Sequence, residues 1–146
     1  MKWCQAMKSE IQSLHDWSIL SINFSEYPCK FIVNCRSDFD EKCEISFAEC
    51  RLLKVNNVIG QNIISRVIVY DQSNYVHDEV ENLIDRASRD EDGALLIDKE
   101  ALVSLAGKIR EGQLSLAYFE PSWGCELFVA ASSIKVDRLV NAPELR

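Results

Sequence analysis

Two histidines, six cysteines and a serine flanked by proline, tryptophan and glycine are the side chains from which this 146-residue chain could build nucleophilic or metal chemistry. His15 precedes Asp16, and His77 precedes Asp78. Consecutive side chains point to opposite faces of a strand and diverge by about 100° on a helix, so adjacency alone makes neither pair a catalytic dyad. A backbone hydrogen bond from His15 or Asp16, ahead of the first strand, is the simpler expectation. Pro121-Ser122-Trp123-Gly124 is not the G-x-S-x-G elbow of a serine hydrolase and reads as a turn between strands. Cysteines stand at 4, 29, 35, 43, 50 and 125, with no C-x-x-C pair and no histidine at ligand spacing, so no zinc site is expected. Buried free thiols are expected in place of disulfides, because nothing here points to an oxidising compartment. Gly107 and Gly112 are not followed by the Lys-Ser/Thr of a phosphate loop. Asp90-Glu91-Asp92-Gly93 lacks the alternating carboxylates and closing glutamate of a calcium loop. The sequence therefore nominates no catalytic residue, no cofactor and no metal ligand.

Charge is more informative. The formal net charge is −7. Residues 71–100 carry ten carboxylates against Arg86, Arg89 and Lys99, while acids and bases cancel in the rest of the chain. A local negative field of this kind repels nucleic acid and anionic membranes and attracts basic partners. Two readings stay open: a solvated helix face, or a docking surface for a basic protein. The second makes Asp78, Glu81, Asp85, Asp90, Glu91 and Asp92 candidate partner-binding residues. Trp123, placed in a turn beside Pro121, joins them as an exposed aromatic anchor, whereas Trp17, Tyr118 and Phe119 are read as core.

The elements that must position these residues follow from hydrophobic period. Trp3, Met7, Ile11 and Leu14 suit a short amphipathic helix. Leu20, Ile22 and Phe24 alternate as a strand that Tyr27-Pro28 breaks. Phe31, Val33, Cys35 and then Cys43, Ile45, Phe47 predict a hairpin around a polar turn at 37–42, with a further short strand at 51–55 and a turn at Asn56-Asn57. Residues 63–70 form a β-branched strand. Val76, Val80, Leu83, Ile84 and Ala87 then make one helix face, with Ser73 or Asn74 as its cap. Asp98 caps a second helix striped by Leu102, Leu105, Ala106 and Ile109, which Gly112 ends in a left-handed conformation. Strands return at 114–118, 127–131 and 134–139. The prediction is an α+β fold: a largely antiparallel sheet with two helices inserted between N-terminal and C-terminal strands.

Composition agrees with one globular domain spanning 1–146, at 47% hydrophobic and 27% charged residues with few glycines and prolines. The first dozen residues lack the apolar run of a signal peptide, which makes the cytoplasm the expected compartment, and no run is long enough to span a membrane.

Leu14-His15-Asp16-Trp17 before a strand, and a hairpin ending near 45–47, resemble small bacterial immunity proteins. Phe119-Glu120-Pro121-Ser122-Trp123-Gly124-Cys125-Glu126-Leu127, followed by apolar strand residues, is also similar to members of that group. Such proteins are encoded beside polymorphic toxins, including those of contact-dependent growth inhibition. The resemblance implies a chain without catalytic residues that binds a cognate toxin domain, often a nuclease, and blocks its active site or substrate groove. The alternatives are a binding or regulatory module for another protein partner and, third, a small enzyme.

Overall fold

The computed structural model describes residues 3–27 and 29–139, with side chains from residue 7 onward. Three helices, α1 (Trp3–Gln12), α2 (His77–Ala87) and α3 (Lys99–Arg110), accompany six strands. The strands are β1 (Ser18–Ser25), β2 (Lys30–Arg36), β3 (Lys42–Asn56), β4 (Ile63–Tyr70), β5 (Ser115–Trp123) and β6 (Glu126–Leu139). The fold is α+β and every strand pairing is antiparallel, with α2 and α3 between β4 and β5 as expected.

The sheet closes into a barrel in the order β1-β2-β3-β6-β5-β4, which alternation within single strands cannot foretell. Closure runs through a short seam. Ser18 is the one β1 residue in register with β4, opposite Ile63. Three backbone bonds reinforce it: Asp16 N–H to Ile64 O at 2.8 Å, Ile64 N–H to Trp17 O at 2.9 Å, and Ile19 N–H to Asn62 O at 2.8 Å.

Two apolar layers follow from the period of two. Inside the barrel, Phe31, Val33, Ile45, Phe47, Val67, Val69, Phe119, Leu127 and Val129 meet, and α1 adds Met7 and Ile11 to the same core. Phe47 lies between Phe31 and Phe119, with ring centroids 6.0 and 6.2 Å away. Burial of each such ring contributes on the order of 1.5–3 kcal/mol. Outside, Leu116, Tyr118, Phe128 and Ala130 pack beneath Val80, Ile84, Leu102, Ala106 and Ile109 of the two helices. Residues 115–119 and 127–131 are therefore covered on both faces, which explains why their sequence is nearly unbroken apolar.

Several expectations need correction. Leu20 and Phe24 are half exposed for different reasons: Leu20 is the extra residue of a bulge between Ile19 and Ser21, whereas Phe24, opposite Phe31, lies where β4 does not continue alongside β1. Residues 51–55 are no separate strand but the second half of β3, beyond a register shift between Cys50 and Leu52. Likewise 127–131 and 134–139 belong to one strand. Neither Ser73 nor Asn74 caps α2. Both fall in a short 3-10 turn (Gln72–Asn74) capped by Asp71, and Val76 is the α2 N-cap, without a side-chain bond and exposed. The Asp98 cap does form, accepting from Ala101 N–H at 2.7 Å, and Gly112 takes φ 83 past the end of α3. Pro28 and the side chains of Trp3 and Cys4 lie outside the described residues.

Candidate functional site

Helix α2 follows β4 after the Gln72–Asn74 turn, and α3 packs beside it. Between them lies a groove of about 420 Å³ lined by Asp78, Glu81, Asn82 and Asp85 from α2, by Leu102, Val103 and Lys99 from α3, and by Arg89 and Leu95 from the connection. The sequence placed Asp78, Glu81 and Asp85 on the solvent side of α2. The structure turns them toward α3, so Glu81 and Asp85 are only partly exposed. Val103, 60% exposed, supplies an uncovered apolar side chain on the opposite wall.

The three carboxylates are not equivalent. Asp85 is held by Arg89, four residues on, through a bidentate fork at 2.8 and 2.9 Å, and these bonds keep its carboxyl below the usual carboxylate range. Glu81 meets only the His77 imidazole, at 3.4 Å, and Asp78 has no ion-pair partner among the described residues. Asp90 is engaged locally, accepting from the backbone N–H of Asp92 at 3.0 Å and of Ala94 at 2.8 Å, and with Glu91 and Asp92 it occupies the turn after α2 and does not line the groove. Trp123 is 60% exposed, but it is not in a turn. Residues 121–123 extend β5, with Pro121 opposite Ile64 and Trp123 opposite Ile63, and the turn is confined to Gly124-Cys125. Trp123 also does not line the groove.

The two histidines make different contacts. His15 Nε2 does reach Asp16, at 3.2 Å, because Asp16 adopts φ 65 and brings neighbouring side chains together. The other ring nitrogen lies within hydrogen-bond reach of Ser65 O, which ties the imidazole to backbone beside the β1–β4 seam. The backbone-bonding role holds for His15. His77 joins Tyr75 Oη at 3.0 Å to Glu81. Burial raises the Tyr75 phenol above its ordinary pKa, the opposite of an activated nucleophile.

The described cysteines, Cys29, Cys35, Cys43, Cys50 and Cys125, are free thiols. Burial pushes Cys43, Cys50 and Cys125 up to about 11 and Cys35 higher still, which suppresses the thiolate. Thiol titration of the unfolded, unreduced protein should therefore count all six cysteines, with reaction in the native state slow at neutral pH. A count of two or fewer would overturn the free-thiol assignment.

Two polar constellations escaped the sequence reading. Lys8 Nζ pairs with Asp71 at 2.8 Å and donates to Ser73 at 2.9 Å, nearly out of solvent, tying α1 to the β4–α2 connection. Glu126 accepts from Arg86 at 2.9 Å, Tyr118 at 2.5 Å and Asn56 at 3.2 Å, while the Arg86 guanidinium lies over the Tyr118 and Phe128 rings. Apart from the Tyr118–Glu126 bond, each contact joins residues 30 or more apart in sequence, and no local spacing announces either constellation. Among the described residues no helix is long and apolar enough to cross a membrane. Comparison with protein-family models gave no match, and comparison with curated proteins gave none.

Proposed function

We propose that the protein is a non-catalytic binding domain whose α2–α3 groove receives a basic segment of a partner protein. On the strength of the sequence resemblance, we take that partner to be a cognate toxin domain that the protein neutralises as an immunity protein. One observation carries the reading: Asp78 and Glu81 reach the same groove as the apolar Leu95, Leu102 and Val103, without a lysine or arginine partner among the described residues. A Lys or Arg of the partner would find two carboxylates beside a surface for its aliphatic stem. Opposite charge across such a contact accelerates encounter and makes binding salt-dependent.

Because Asp78 and Glu81 are not engaged in holding α2 to the barrel, the double reversal Asp78→Lys/Glu81→Lys should leave thermal unfolding nearly unchanged. It should weaken binding of the toxin domain, recovered by co-purification from the native host, by about tenfold or more, roughly 1.4 kcal/mol. It should also reduce protection of cells expressing that toxin. Wild-type affinity at low salt in the double variant would sink the groove as the interface. Full protection with a partner that is not a toxin would instead leave a regulatory binding module.

A further inference from the structure

Four of the five described cysteines meet in pairs between the same two stretches of chain. Cys35 stands opposite Cys43 in the β2–β3 register, and both are out of solvent. Cys29 and Cys50 meet just past the end of that ladder, which closes on Lys30 opposite Ala48. There Glu49 takes φ 52 and the β3–β6 register shifts between Cys50 and Leu52, a kink that brings Cys50 beside Cys29. Cys50 N–H donates to Cys29 O at 3.3 Å, and the Cys29 thiol donates to Cys50 O at 3.2 Å. The two thiols are also within hydrogen-bond reach of each other. Backbone-bonded neighbours on antiparallel chains stand about 4.5–5.5 Å apart at Cα, inside the span of a disulfide. Unlike Cys35 and Cys43, both residues are only partly buried, so a small reagent reaches them. Neither lines the α2–α3 groove.

We propose that Cys29 and Cys50 are a reversible redox pair, which a low-molecular-weight disulfide converts into a bridge clamping the start of β2 to β3. The chemistry is two successive thiol–disulfide exchanges. The Cys29 thiolate attacks one sulfur of the reagent, expelling a small thiolate and leaving a mixed disulfide on Cys29. The Cys50 thiolate then attacks Cys29 Sγ, so the protein S–S bond forms as the mixed disulfide breaks and the second small thiolate leaves. The two thiol protons end on the two expelled thiolates, and the reagent gains the two electrons that the cysteines lose. Burial and the adjacent Cys29 thiol push Cys50 up to about 11, which makes Cys29 the first attacker and the exchange slow. The bridge would close a span of 21 residues containing the β1–β2 connection. On its far side that hairpin meets β4 in register at Ser18 alone, so its hold on the barrel rests mainly on the ladder the bridge would lock.

The native, reduced protein is held with oxidised glutathione for several hours, alkylated, digested without reduction and mapped by mass spectrometry. The cross-linked Cys29–Cys50 peptide should accumulate and should vanish on treatment with dithiothreitol. The bridged protein should melt about 5–10 °C above the reduced form. Cys35→Ser should form the same bridge as wild type, whereas Cys50→Ser should retain glutathione on Cys29. The map and the melting curve of the wild-type chain decide the matter even where a variant fails to fold. Absence of the bridge in the native protein, a Cys35–Cys43 bridge in its place, or a bridged form that melts no higher than the reduced one would each overturn the proposal.

Discussion

Replacing Lys8 by methionine should destabilise the protein by about 3–5 kcal/mol, the usual consequence of removing one member of a buried ion pair. Lys8 and Asp71 side chains are only 11% and 9% exposed, so the remaining carboxylate would keep its Ser73 bonds but lose the cation that compensates its burial. Burial pushes the Asp71 carboxyl up, and the hydrogen bonds from Lys8 and Ser73 more than reverse that, leaving it below its ordinary value. The sign then follows. A carboxyl lowered in the folded state contributes stability that is complete above its unfolded value, about 3.9, and is lost as pH falls through the folded value. Urea unfolding at pH 7 should show the full gap between wild type and Lys8→Met, and the gap should narrow below about pH 4. A difference under about 1 kcal/mol at pH 7 would mean the pair is solvated and contributes no more than a surface bridge.

Asn62→Ala should have the second largest effect, about 2–4 kcal/mol. The Asn62 amide oxygen accepts from Ile59 N–H at 3.1 Å and from the buried Cys125 N–H at 3.0 Å, while its nitrogen donates to Ile59 O at 2.8 Å. This one side chain pins the 57–62 loop to the β5–β6 turn. The fit is close: a Cβ on Gly124, where φ is +81, would fall 2.5 Å from the Asn62 oxygen. Alanine at 62 would leave a buried backbone donor without an acceptor, so hydrogen exchange at the Cys125 amide should accelerate along with the loss of stability. Unchanged exchange there would show that another acceptor replaces the side chain.

Legibility in the sequence followed the range of the physics. Alternation is local, so the β2–β3 hairpin could be read directly from Phe31, Val33, Cys35 and Cys43, Ile45, Phe47, which stand opposite one another in the structure. The helical stripe of α2 was equally plain, and Asp85 and Arg89 stand at the four-residue spacing that favours their pair. What failed was phase and distance. One inserted residue in β1 turned Leu20 outward, and a proline in 121–123 suggested a turn where β5 continues to its end beside β4. Barrel closure, the Lys8–Asp71 pair and the Glu126 network depend on segments far apart in the chain. For the groove, helical period placed Asp78 and Glu81 together on α2, but nothing local revealed that α3 would supply the facing wall.

The pairing of β3 with β6 has a consequence for biosynthesis. This ladder is the longest in the barrel, with thirteen paired positions, yet about 70 residues separate the end of β3 from the start of β6. At roughly 5–20 residues per second, a ribosome leaves β3 waiting about 4–14 s for its neighbour. Through that interval the nascent β2–β3 hairpin exposes an unpaired edge and the inward rings of Phe31 and Phe47, with α2 and α3 emerging before the strands that cover them. The yield of folded protein should therefore depend on the rate of elongation between residues 57 and 125 as well as on the stability of the finished barrel.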